Sequence, residues 1–177
     1  MIRFIHSKLS KQGGFTFIEL ILGLSISVLL LSLISAWLLQ WGLGWKKGCD
    51  QIIVEQNGRM AFAALTEEIK YHAGYILVPE MGEDASYIKF RDEGNYRTME
   101  FYCKEKEDDV VLYRYILADN NYSPGINPMT DSTQVSVEQL KFRRITNNIV
   151  EIDFTLKHKY SQIEKTWKTM VVCKNHI

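Results

Sequence analysis

No charge of either sign is in excess. Twenty-one Lys and Arg balance 21 Asp and Glu among 177 residues, for a formal net charge of zero. A neutral chain has no global attraction to nucleic acid or anionic membranes, so any such contact must come from a local patch. Cysteine is scarce and odd in number: Cys49, Cys103 and Cys173 cannot close a complete disulfide framework. Cys103 and Cys173 fall in strand-like runs and could pair, as exported domains permit; alternatively all three stay as thiols. The histidines, His6, His72, His158 and His176, have no metal-type spacing to one another or to a cysteine pair. No glycine-rich phosphate loop occurs. These absences leave no recognisable enzyme chemistry and imply neither cofactor nor metal. Glu105, Glu107, Asp108 and Asp109 cluster as a solvated turn between strands rather than a cation site. Composition is otherwise that of a folded protein, 46% hydrophobic and 24% charged, with length for one domain and an anchor.

The most informative absence is local. From Leu20 to Trp45, 26 residues pass without a charge, enough to cross a bilayer, which needs about 20 apolar residues. Trp37, Trp41 and Trp45 recur at spacings of four, on one helix face, and Lys46 and Lys47 follow; aromatic rings followed by amines suit a membrane–water interface. Arg3, Lys8 and Lys11 precede the run without an acid among them, which keeps that end cytoplasmic and places the C-terminal bulk outside. The run is too long for the apolar core of a cleaved secretory signal, and Ser35-Ala36-Trp37 is a poor cleavage site.

Glu19 stands at the start of this run. A carboxylate well inside a membrane costs about 2.5–3.5 kcal/mol even on lenient insertion scales, so an acid there is a functional candidate that needs a partner. A cut between Gly14 and Phe15 would create one. The new α-amine of Phe15, cationic near neutral pH, would sit four residues before Glu19, one helical turn away. It could be met within one chain or across neighbouring chains.

The stretch Lys11-Gln12-Gly13-Gly14-Phe15-Thr16-Phe17-Ile18-Glu19-Leu20 resembles the prepilin cleavage and methylation motif of type IV pilins and type II secretion pseudopilins. Basic leader, glycine, N-terminal phenylalanine, small hydroxylic residue, two apolar residues, Glu and Leu all match. The resemblance implies a prepilin peptidase that cuts after Gly14 and methylates the Phe15 amine, with Glu19 needed for assembly and methylation. It implies residues 1–14 as a removed leader, 15–45 as a transmembrane and assembly helix, and 46–177 as an extracytoplasmic head. The partners implied are other pilin or pseudopilin subunits through the N-terminal helix, the prepilin peptidase, an inner-membrane assembly platform and membrane lipid. The location implied is the inner membrane, then a cell-surface pilus or periplasmic pseudopilus, of a type IV pilus, type II secretion or DNA-uptake system. Major pilins usually carry a proline two-thirds through the apolar segment; Ala36 stands there, and the segment has none, which favours a minor or initiating subunit. Phe62 to Lys70 and the ending Val171-Val172-Cys173-Lys174-Asn175 are similar to the large minor subunits of the J or W kind. A plain membrane-anchored binding module is the alternative.

For the head, Val54, Ala61, Leu65 and Ile69, joined by Phe62, form one helical stripe. They predict a helix from about Phe15 to about His72, loosened near Gly42, Gly44 and Gly48 and ended by Gly74 and Pro79. Strands are predicted at Tyr87–Phe90, around Met99, Phe101 and Cys103, at Val110–Leu117, over Val150 to Leu156, and at Trp167–Cys173, with a tight turn at Asn147-Asn148. Asp119 to Thr133 reads as a long surface loop. The fold class is α+β, a long helix packed on an antiparallel sheet. Tyr113, Tyr115, Lys141, Arg143 and Arg144 suggest nucleic-acid contact, DNA included, only weakly beside the alternative of a solvated strand face.

Overall fold

The structure, a computed structural model, describes residues 16–92, 97–106, 109–117 and 124–174. One helix, α1 (Phe17–His72), is followed by nine strands: β1 (Tyr75–Val78), β2 (Asp84–Ala85), β3 (Ile88–Arg91), β4 (Thr98–Lys106), β5 (Asp109–Leu117), β6 (Gly125–Pro128), β7 (Val135–Arg144), β8 (Ile149–His158) and β9 (Glu164–Val172). The chain divides into two compact units, Met1–Trp45 and Lys46–Ile177.

In the first unit the helix is long and apolar enough to cross a membrane, with a mean hydropathy of 2.5 over its most apolar window and none of that window buried. The serines that interrupt the run do not leave hydroxyls unpaired. Ser25, Ser27, Ser32 and Ser35 donate to the carbonyls of Ile21, Gly23, Leu29 and Leu31 at 2.7–2.8 Å, which lets polar residues sit on an apolar helix.

In the second unit, Val54, Gly58, Ala61, Leu65 and Ile69 are the buried stripe of α1. The sequence pattern identifies four of the five; Gly58 escapes it because glycine carries no hydrophobic signal. Instead of one sheet there are two, both antiparallel: β1-β3-β4-β5-β6 and β2-β7-β8-β9. Ile88, Phe90, Phe101 and Leu112 of the first and Phe142, Ile152, Phe154 and Leu156 of the second are fully buried in a core shared with the helix stripe. Burying each such side chain is worth about 1.5–3 kcal/mol. Strand β8 alternates buried and half-buried without a break, as its sequence predicts.

Three expectations need correction. The helix is unbroken through Gly42, Gly44 and Gly48; i→i−4 bonds persist across isolated glycines when no proline removes a donor. The Asp119–Thr133 loop contains β6, which pairs with β5 from Tyr113↔Pro128 to Ile116↔Gly125; residues 118–123 lie outside the described residues. The last strand starts at Glu164, not Trp167, and stops before Cys173. The turn at Asn147-Asn148 does connect β7 to β8, with Ile145 N–H donating to the Ile149 carbonyl at 2.9 Å.

Candidate functional site

The residues singled out at the N-terminus separate into two groups. Gly14 and Phe15 lie outside the described residues, whereas Glu19 sits in the first turn of α1. The Thr16 N–H and hydroxyl donate to Glu19 Oε2 at 2.8 and 2.9 Å, and the Glu19 N–H donates to Thr16 Oγ1 at 3.3 Å. This reciprocal pair is a capping box: Thr16 and Glu19 satisfy two of the amide donors that a helix start leaves without intrahelical acceptors. The spacing Thr-x-x-Glu ahead of an apolar run is its signature in the sequence, a second role for Glu19 beside its charge. The carboxylate therefore has two demands on it, one from the helix start and one from any cation brought near. Further along, the Trp37 and Trp41 rings stack at 5.4 Å with planes 22° apart, and Trp45 is exposed.

In the head, Cys103 and Cys173, which could have paired, do not, and the alternative of three thiols holds. Cys103 lies in β4 of one sheet, Cys173 follows β9 of the other, and all three cysteines are free. Burial pushes the Cys103 thiol up from 9.0 to about 12 and raises that of Cys173 too. An unfolded thiol ionises lower than the folded Cys103 thiol, so the neutral form favours the fold. That contribution is complete below pH 9.0 and is lost as pH rises toward about 12. Between pH 8 and pH 10 the protein should lose about 1 kcal/mol more stability than a Cys103→Ala variant, by the relation of one pKa unit to 1.36 kcal/mol. Urea unfolding at the two pH values measures this, and parallel loss in both proteins would refute it.

The charged groups of the head are mostly spent on one another. Arg114 donates to Glu68 at 2.6 Å, fastening β5 to α1, and His72 stands between Glu68 and Asp92 at 3.7 and 3.5 Å. Asp84 accepts from Lys141 and Arg143, each at 2.7 Å, and these two hold its carboxyl below the usual range. Arg144 donates to the Ile76 and Thr146 carbonyls. The five residues offered for nucleic-acid contact are thus divided: Tyr113 and Tyr115 belong to the first sheet, Lys141, Arg143 and Arg144 to the second, and the basic three are engaged.

Among the described residues one Ser–His–Asp trio occurs. Buried His158 accepts at Nδ1 from the Ser161 hydroxyl at 2.9 Å, and its Nε2 is 3.6 Å from Asp50 Oδ1. A catalytic histidine must keep a lone pair for the serine proton. Here Nδ1 also receives the N–H groups of Ser161 and Tyr160 at 3.2 and 3.4 Å. The arrangement fastens the turn after β8 rather than activating a nucleophile. Among the described residues no group of three or more His, Cys, Asp or Glu side chains is placed to hold a metal ion. The chain matches no protein-family model, no curated protein and no solved structure.

Proposed function

We propose that this chain is a structural minor subunit of a type IV pilus-like or pseudopilus fibre, inserted in the cytoplasmic membrane with its α+β head outside and released for assembly by cleavage after Gly14. The observation that carries this reading is a single carboxylate, Glu19, in the first turn of a helix whose following residues to Trp45 are uncharged, mostly apolar and exposed. An isolated membrane anchor gains only a helix cap from an acid at that depth, which a neutral glutamine would supply without the burial cost of a charge. A subunit whose neighbours each bring a cationic N-terminus does, because ion pairs in hydrocarbon are barely screened and favour one axial register. The local match from Lys11 to Leu20 supports the same reading, as does the split of the chain into an apolar helical unit and a folded head. The head would then carry the contacts that distinguish a minor subunit from its neighbours.

Mass spectrometry of the chain recovered from membranes, after co-expression with a prepilin peptidase, tests the proposal. The mature protein should begin at Phe15 with a methylated amine, and Gly14→Val should abolish that product while leaving the intact chain in the membrane. The β-branched side chain of valine at the cleaved bond would block a site that accepts only a bare backbone. A chain that begins at Met1, or that is cut near Ala36, would end the fibre reading and leave a membrane-anchored module.

A further inference from the structure

The register of β4 on β5 puts Met99, Phe101 and Leu112 on the core face and Tyr102, Tyr113 and Tyr115 on the opposite face of the first sheet, which is covered at one end, where Val111 and Asp109 are buried. Tyr102 lies across from Tyr113, and Glu100 across from Tyr115. The Tyr102 and Tyr113 rings are nearly parallel, with centroids 6.0 Å apart and planes at 21°. All three tyrosines are half-buried, held by the sheet yet reachable from solvent. Burial, Glu100 and the two neighbouring tyrosines push the Tyr102 phenol up, as expected where these groups share one patch.

The same face carries a local excess of basic charge that the neutral chain as a whole does not have. Lys89 and Arg91 on β3, and Lys104 and Lys106 on β4, share the parity of the tyrosines. Of the described acids on that parity, Glu100 has Lys89 Nζ at 3.9 Å and Asp109 is held by Lys159. Aromatic rings on a sheet with exposed cations around them are what sequence-tolerant recognition of single strands requires: π faces for bases and ammonium or guanidinium groups for phosphates. We propose that this face binds single-stranded nucleic acid, with bases stacked on Tyr102, Tyr113 and Tyr115 and phosphates met by Lys89, Arg91 and Lys104. A duplex keeps its bases stacked on each other and offers them no face. An acidic polysaccharide would satisfy the cations but has no aromatic surface to lay on the rings. The inference does not depend on cleavage after Gly14 or on fibre assembly.

The test uses the full chain in nanodiscs of zwitterionic lipid and a fluorescein-labelled oligothymidylate of about 12 nucleotides, within the range one such site covers. Tyr113→Leu and Tyr115→Leu keep apolar bulk on the sheet but lose the π face, and each should weaken binding about tenfold. The matching phenylalanine variants should bind within about twofold of the parent, since stacking needs the ring and not the hydroxyl. Lys104→Ala should reduce the slope of log affinity against log salt by about 0.7, one phosphate's share on a single strand. An oligouridylate of the same length identifies the source: preference for either strand assigns DNA or RNA, and both results support the platform. Equal affinity for duplex DNA, equal displacement by polygalacturonate, or leucine variants that fold and bind like the parent would overturn it.

Discussion

Replacing Gly58 with alanine should destabilise the head by about 1–3 kcal/mol, the usual cost of overpacking, although the same change in an exposed helix would stabilise it by about 0.5–1 kcal/mol. The sign reverses because of what lies above the glycine. A Cβ at position 58 would fall 1.9, 2.3 and 2.5 Å from three ring carbons of Trp167. That indole cannot easily withdraw. Its ring packs 6.0 Å from Phe154, which stacks in turn on Phe62 at 6.3 Å, and Lys165 Nζ covers it at 5.9 Å. The far edge of the Trp167 indole reaches the helix backbone at position 58 because glycine leaves room for it. Trp167→Ala alone should cost about 3 kcal/mol, the lower end for truncating a large aromatic, since the ring is only half-buried.

The decisive measurement is the double variant. With the indole gone, the new methyl has nothing to strike, so Gly58→Ala in the Trp167→Ala background should be neutral or mildly stabilising. The coupling between the two positions should lie in the range of 0.5–3 kcal/mol seen for residues in contact. Urea unfolding followed by far-ultraviolet circular dichroism of the full chain in detergent measures all four corners. If Gly58→Ala proves as stable as the parent, Trp167 is not seated on that glycine.

This contact also marks the limit of what the sequence reveals. Val54, Ala61, Leu65 and Ile69 announce their helix face by spacing, and β8 announces itself by alternation, because both are read by one partner surface throughout. Gly58 belongs to the same face but is visible only once the indole above it is known. Strand β7 is similarly hidden: its register shifts between Val137 and Gln139, so Glu138 and Gln139 are both exposed in succession and the two-residue period breaks at a bulge. Strands β1, β2 and β6 have two to four residues each, too few to show a period. The division into two sheets rests on long-range pairing, such as β2 with β7 through Asp84↔Arg143, which no local pattern encodes. At the N-terminus the reverse holds. The motif around Gly14 is legible only in sequence, and the structure adds that Glu19 is also a capping residue.

That double role makes Glu19 the position where a substitution can separate two explanations. Glu19→Ala removes both the cap and the charge. Loss of a capping interaction costs about 0.5–2 kcal/mol, so failure of that variant to assemble would not say which was missed. Glu19→Gln is the informative change. Glutamine fills the third position of a capping box as glutamate does, and its amide oxygen can accept from Thr16 N–H where Oε2 now accepts at 2.8 Å. It cannot neutralise an α-amine. If the carboxylate exists to meet the N-terminus of Phe15 in its own or a neighbouring chain, Glu19→Gln should be processed at Gly14 and stay in the membrane, yet enter sheared, pelleted fibres at less than about a tenth of the parent level, as Glu19→Ala should. An uncompensated amine in hydrocarbon costs about 2.5–3.5 kcal/mol on the insertion scale, more than enough for a tenfold loss at 1.4 kcal/mol per decade. Thr16→Val supplies the converse, removing the hydroxyl half of the cap while keeping the charge, and should assemble nearly normally. Quantitative mass spectrometry of the membrane and fibre fractions reads every arm. Parent-level assembly of Glu19→Gln would reduce the acid to a helix-start residue and remove the electrostatic basis of the fibre proposal.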